Sequence, residues 1–178
     1  MDKRVFIALP FSDEFKKQLT EEVFKLRAGF PEFRWFGPEK WHITLVPPNN
    51  LSDTEIGKMK LLIESGITSK KFRIAPDRII LGPPGNAEKK MVWLLFKNSP
   101  EFLGLRGWLN SLLGNLENLE TRPENIHVTL AKFSGLDKPD FKEKSFPREF
   151  VAEKIEIWES RIFSSGSVYN SLARFKLL

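Results

Sequence analysis

Apolar positions along this chain switch between a strand period and a helix period. "RVFIALPF" at 4–11 is a β-branched and aromatic run that predicts a first strand. From Ser12 the spacing widens: Phe15, Leu19, Val23 and Leu26 share one helical face, with Ser12 as N-cap and Asp13 and Glu14 in the first turn. "PEFRWFGPEK" is punctuated by Gly and Pro, and Trp41 to Val46 follows as a strand that should stop at Pro47-Pro48. Ser52 and Glu55 form a capping box before a second helix, whose inward stripe is Ile56, Met59 and Ile63. Extended segments are expected at 71–81 and 89–97, joined across "GPPGN". Ser99 and Pro100 then open a third helix that runs to about Leu116, with Leu105, Leu109, Leu112 and Leu116 inward. Ile126 to Phe133 is another strand, and the chain ends in a hairpin of 150–163 and 168–177 around "SSGS".

One four-residue phrase occurs twice. His42-Ile43-Thr44-Leu45 and His127-Val128-Thr129-Leu130 contain the only two histidines, about half a chain length apart, and the strand and helix order loosely recurs around the second copy. We expect two similar lobes, each lending one copy to a shared cleft. On a helix, residues i and i+2 diverge, whereas on a strand they share a face. Ile43, Thr44, Val46, Val128 and Thr129 are β-branched and favour the strand. His42 and Thr44 then point to one side, as do His127 and Thr129, while Ile43, Leu45, Val128 and Leu130 point to the core.

The chemistry of that polar face is specific. Imidazole titrates near pH 6.5, so a pair can hold one neutral base and one protonated acid together, and a threonine hydroxyl can donate to an anionic oxygen between them. Such a constellation suits in-line attack at phosphorus and asks for no metal. A lone histidine among apolar neighbours is usually a structural hydrogen-bonder. Six threonines in 178 residues, however, put Thr at +2 after both histidines by chance only about once in a thousand.

Composition narrows the classes. The chain has 178 residues, enough to bury a core without staples. Cysteine is absent, which excludes disulfides, a thiol nucleophile and a Cys-type zinc site, and makes the reducing cytoplasm the natural compartment. The run from Val5 to Phe11 ends at Ser12 before charges rather than a cleavage site, and no segment approaches the roughly 18 apolar residues of a membrane span, so we expect a soluble protein without a membrane partner. A net charge of +5 fits an anionic partner such as a nucleotide or RNA. No His-Glu-x-x-His cluster offers a zinc site, no Gly-x-Ser-x-Gly elbow offers a serine nucleophile, and "GPPGN" is a turn rather than a phosphate loop.

With these residues in view, the chain resembles the 2H phosphoesterases, which carry two H-x-T-x signatures, and within them the RNA 2′,3′-cyclic phosphodiesterase branch, also called 2′-5′ RNA ligase-like proteins. "VFIALPF", "RWFGPEKWHITL" and "ESRIFSSGSVYNSLARFKL" sit where that branch has comparable phrases, so the resemblance spans nearly the whole chain. It implies an α+β, bilobal fold: one two-lobed domain over 1–178, with antiparallel β-sheets of two pseudo-symmetric lobes facing a central cleft and helices on the outer sides. It implies hydrolysis of a terminal RNA 2′,3′-cyclic phosphate to a 2′-phosphate, with reversible 2′-5′ ligation as a companion activity. The expected substrates are RNA ends or cyclic phosphate nucleotides, acted on by a monomer with no metal and no other cofactor. Carried to matching positions, His42 is the proton donor, His127 the proton acceptor, and Thr44 and Thr129 hold the nonbridging oxygens; the donor and acceptor roles come from the resemblance alone.

Two departures bear on the site. Relatives often continue the first motif with Phe-Leu-Gly where Val46-Pro47-Pro48 stands here, and carry Arg where this chain has Lys132, which keeps the charge but not the bidentate fork. Strict alternation puts Lys132 on the face opposite His127, so a phosphate contact requires a bulge or a strand end. Tyr169, the only tyrosine, matches a C-terminal family position and either stacks on a base or packs in the core. Trp35 and Trp41 read as core aromatics, and Lys89-Lys90 as a solvated edge. Two other readings stay open: a binding module that holds RNA ends or nucleotides without turnover, and an enzyme acting on an ADP-ribose cyclic phosphate or on 2′-5′ oligonucleotides.

Overall fold

The structure, a computed structural model, describes residues 2–85, 90–114, 125–134, 139–164 and 166–178. Strand β1 (Lys3–Pro10) leads into helix α1 (Asp13–Gly29), which Ser12 caps by accepting the Phe15 amide. Short β2 (Arg34–Trp35) and a 3₁₀ turn at Pro38–Lys40 precede β3 (His42–Leu51). Helix α2 (Asp53–Gly66) opens on the expected capping box, in which Ser52 and Glu55 satisfy one another's backbone amides. Strands β4 (Phe72–Ile74), β5 (Pro76–Gly82) and β6 (Met91–Phe96) lead to helix α3 (Pro100–Leu113), capped by Ser99. Then come β7 (His127–Lys132), β8 (Lys144–Ser145), β9 (Phe150–Ala152), β10 (Lys154–Phe163) and β11 (Gly166–Lys176).

Two antiparallel sheets form the lobes. One has the order β11-β10-β1-β3, the other β2-β7-β6-β5-β8, and β4 pairs with β9 in a separate ribbon. The lobes match: β1, α1 and β3 correspond to β6, α3 and β7, in each case two antiparallel neighbours joined through a helix. They are not the two halves of the chain, however, because the C-terminal β10 and β11 complete the first sheet and β2 joins the second. One continuous core runs through both lobes, from Ile7, Ile43 and Leu45 to Leu94, Val128 and Leu130, with Phe15 and Leu19 of α1 and Phe102 and Leu109 of α3 inserted. The opposite sheet faces carry only small apolar groups: Phe6, Ala8 and Trp158 on one, Ile80, Trp93 and Leu95 on the other.

Three expectations need correction. The first motif strand begins at His42 and runs through Pro47-Pro48 to Leu51, which is tolerated because β3 is an edge strand with register shifts there. The inward stripe of α3 is Phe102, Leu105, Leu109 and Leu113, with Leu112 only half-buried; Leu116, like Lys89, lies outside the described residues. Residues 150–152 do not extend the terminal hairpin but pair with β4. The two-residue strands β2 and β8 carry too little pattern to be anticipated.

Candidate active site

His42, Thr44, His127, Thr129, Lys132 and Tyr169 all line one cleft of about 580 Å³ between the lobes. The alternation within each phrase holds: His42 and Thr44 are half-buried with Ile43 and Leu45 buried, and His127, Val128, Thr129 and Leu130 repeat that pattern. Immediately after each threonine the ladder slips. Ala8 pairs with Thr44 and Ile7 with Val46, leaving Leu45 without a partner; Trp93 pairs with Thr129 and Val92 with Ala131, leaving Leu130 without one. Each lobe therefore has a bulge at the same leucine. In β7 the bulge buries Leu130 and Ala131 in succession and returns Lys132 to the histidine's face.

Both imidazoles are anchored alike. His42 Nδ1 lies 2.8 Å from the Lys40 carbonyl oxygen, and His127 Nδ1 lies 2.8 Å from the Asn125 carbonyl oxygen. A carbonyl can only accept, so Nδ1 carries the hydrogen and donates in both rings, and Nε2 is the nitrogen whose protonation changes. The surroundings differ. His42 sits among Phe6, Trp158 and Tyr169 at ring-centre distances of 4.9, 5.0 and 5.4 Å. Burial pushes His42 down from 6.5 to about 4, partly opposed by the Lys40 carbonyl and reinforced by His127 across the cleft. His127 instead lies flat on the Trp93 indole, with centres 3.7 Å apart and planes 17° apart.

Tyr169 belongs to the box around His42 and also lines the cleft, and burial raises its hydroxyl above the usual value. Trp41 is buried and Trp35 packs against the core, as expected of core aromatics. Of the altered segment after the first motif, Val46 is buried and Pro48 reaches the cleft rim. Sequence reasoning missed Arg4, Arg34 and Lys40, which join Lys132 to line the cleft with four basic side chains, with no carboxylate among its described lining residues. Arg34 and Lys132 are direct cross-strand partners, so two cationic side chains stand side by side at the cleft. Arg34 and Lys40 stand within the quoted "RWFGPEKWHITL", but only their return to the histidine cleft marks them out. Among the described residues no group of three or more His, Cys, Asp or Glu could hold a metal ion, and no helix is long and apolar enough to cross a membrane.

No protein-family model and no curated protein matches the chain. Solved structures do. The crystal structure of TT0787 of Thermus thermophilus superposes with a TM-score of 0.85 at 21% identity, covering 98% of this chain and 97% of that one. The E. coli LigT complex with 3′-AMP gives 0.81 at 20% identity over 99% of both chains, and a structure described as a phosphoesterase gives the same values. The chain therefore has the bilobal α+β fold of LigT and TT0787 from end to end.

Proposed function

We propose that this chain is a 2H phosphoesterase, one two-lobed domain that opens terminal RNA 2′,3′-cyclic phosphates to 2′-phosphates. The observation that carries the reading is the paired placement of His42 and His127: equivalent strands of two lobes bring both rings to one cleft, each with Nδ1 tied to a backbone carbonyl, which makes Nε2 the nitrogen that changes protonation. Water attacks phosphorus and passes its proton to His127 as the new P–O bond forms. The P–O3′ bond breaks, and His42 delivers a proton to the departing 3′-oxygen. Thr44 and Thr129 donate to the nonbridging oxygens, and Lys132 supplies positive charge nearby. A buried imidazolium is a strong acid, so His42 releases its proton readily, and the bound phosphate anion supplies the counter-charge that lets it acquire one. Replacing water by a 5′-hydroxyl runs the same chemistry toward 2′-5′ ligation.

The four-cation lining supports an anionic substrate. LigT has been crystallised with 3′-AMP, ATP and NADP⁺, all phosphorylated nucleotides, and on the same fold this cleft takes a nucleotide end. The proposal takes the monomer as the working unit. The test is incubation with an oligoribonucleotide ending in a 2′,3′-cyclic phosphate, followed by separation of 2′- from 3′-phosphate products. Accumulation of the 2′-phosphate, unaffected by chelators, supports the proposal. Binding without turnover would make the chain a binding module, and faster turnover of an ADP-ribose cyclic phosphate or a 2′-5′ oligonucleotide would reassign the substrate.

A further inference from the structure

The matching registers of the two lobes pair each threonine with a defined neighbour: Ala8 opposite Thr44, Trp93 opposite Thr129. Trp93 and Ala8 are thus the same position in the two lobes, and one holds the largest side chain while the other holds a methyl group. We infer that Trp93 is a positioning residue for His127: its ring face fixes the imidazole plane and stabilises the positive charge that ring acquires, so that the pseudo-symmetric histidines take different roles. The inference rests on the function proposed above.

Four observations support it. The contact is face to face, 3.7 Å between centres and 17° between planes, so the imidazole lies over the negative face of the indole. His42, by contrast, meets its three aromatic neighbours at 38°, 63° and 89°. The indole is itself held: Trp93 is buried, and a Cβ added to Gly82 would sit 2.5 Å from ring atom Cδ2, so only glycine leaves room for the ring. Finally, among the described residues, the charged and titratable groups that line the cleft with His127 are Arg4, Arg34, Lys40 and Lys132, together with His42 and Tyr169. These four cationic side chains oppose an imidazolium, and the Asn125 carbonyl and the Trp93 face favour it. A general base that becomes cationic in the transition state gains most from such a face, because the attraction grows as the charge develops.

The test is an NMR titration of the His127 ring, with no substrate present, in chains carrying mono-, di- and trifluorinated tryptophan at position 93, which drain the ring face while keeping its shape. The midpoint should fall stepwise with fluorination, and Trp93→Leu should lower it by about one pH unit and lower kcat about tenfold with little change in KM. Trp93→Phe should restore most of both. Superimposable His127 titrations across the fluorinated series would overturn the inference, as would a Trp93→Phe chain as impaired as Trp93→Leu. The titration reads the ring contact without turnover, so absence of cyclic phosphate hydrolysis would overturn the proposed function without touching the titration result.

Discussion

Trp158 Nε1 donates to Glu156 Oε2 at 2.8 Å, so a buried carboxylate two residues upstream on the same strand fixes the indole that packs against His42. Arg174, its direct partner on β11, donates to Oε1 at 2.8 Å, and Lys154 lies 3.1 Å from the same oxygen. Burial alone would raise the Glu156 pKa; hydrogen bonds from Trp158, Ser171, Lys154 and Arg174 outweigh it and hold the group down from 4.5 to about 2.

Glu156→Gln keeps the shape but removes the charge, leaving Arg174 and Lys154 facing a neutral amide. We expect a loss of about 1–3 kcal/mol in urea unfolding at neutral pH. In the wild type the depressed pKa stabilises the fold above pH 4.5, and that contribution disappears as pH falls toward 2. Unfolding midpoints through that window should drop less in the variant than in the wild type.

His42 acts in a different pH window. The unfolded chain binds a proton there near 6.5 and the folded chain only near 4, so between those values the unfolded state holds more protons. Stability from this group is complete above 6.5 and is lost as pH falls through 4. Urea midpoints should therefore be lower at about pH 5 than at about pH 7.5, and His42→Phe should flatten that slope. An equal slope in the variant would place the effect elsewhere.

Thr44→Val and Thr129→Val remove a hydroxyl from the cleft face while keeping a β-branched strand residue. A hydrogen bond to a charged oxygen is worth about 1.5–3 kcal/mol, so each should lower kcat/KM roughly 10- to 100-fold with unchanged thermal melting. Activity equal to wild type in both would remove the threonines from phosphate binding.

Much of this architecture was legible because local rules carried it. Ser12, Ser52 and Ser99 cap the three helices where their spacing to the following apolar stripe placed them, and the H-x-T-L alternation assigned one face of each motif strand. What escaped depends on the partner strand. The bulges at Leu45 and Leu130 exist only as a mismatch with β1 and β6, so single-strand periodicity put Lys132 on the wrong face unless a bulge was invoked. The same holds for Pro47-Pro48, which a central strand would exclude but an irregular edge accommodates. Trp93 reaches His127 diagonally across the β6–β7 ladder, and Arg4 and Arg34 meet in the cleft from separate sheets. Such neighbours are created by topology, and no local pattern announces them.

The central claim is that His42 and His127 together move the protons of one displacement at phosphorus. Its most direct test is the rate of 2′-phosphate formation from a 2′,3′-cyclic phosphate-ended oligoribonucleotide by wild type, His42→Ala, His127→Ala and the double variant. Each single variant should lose roughly 10²-fold or more, and the double variant should lose much less than the product of the two. Full-rate turnover by either single variant would contradict the account.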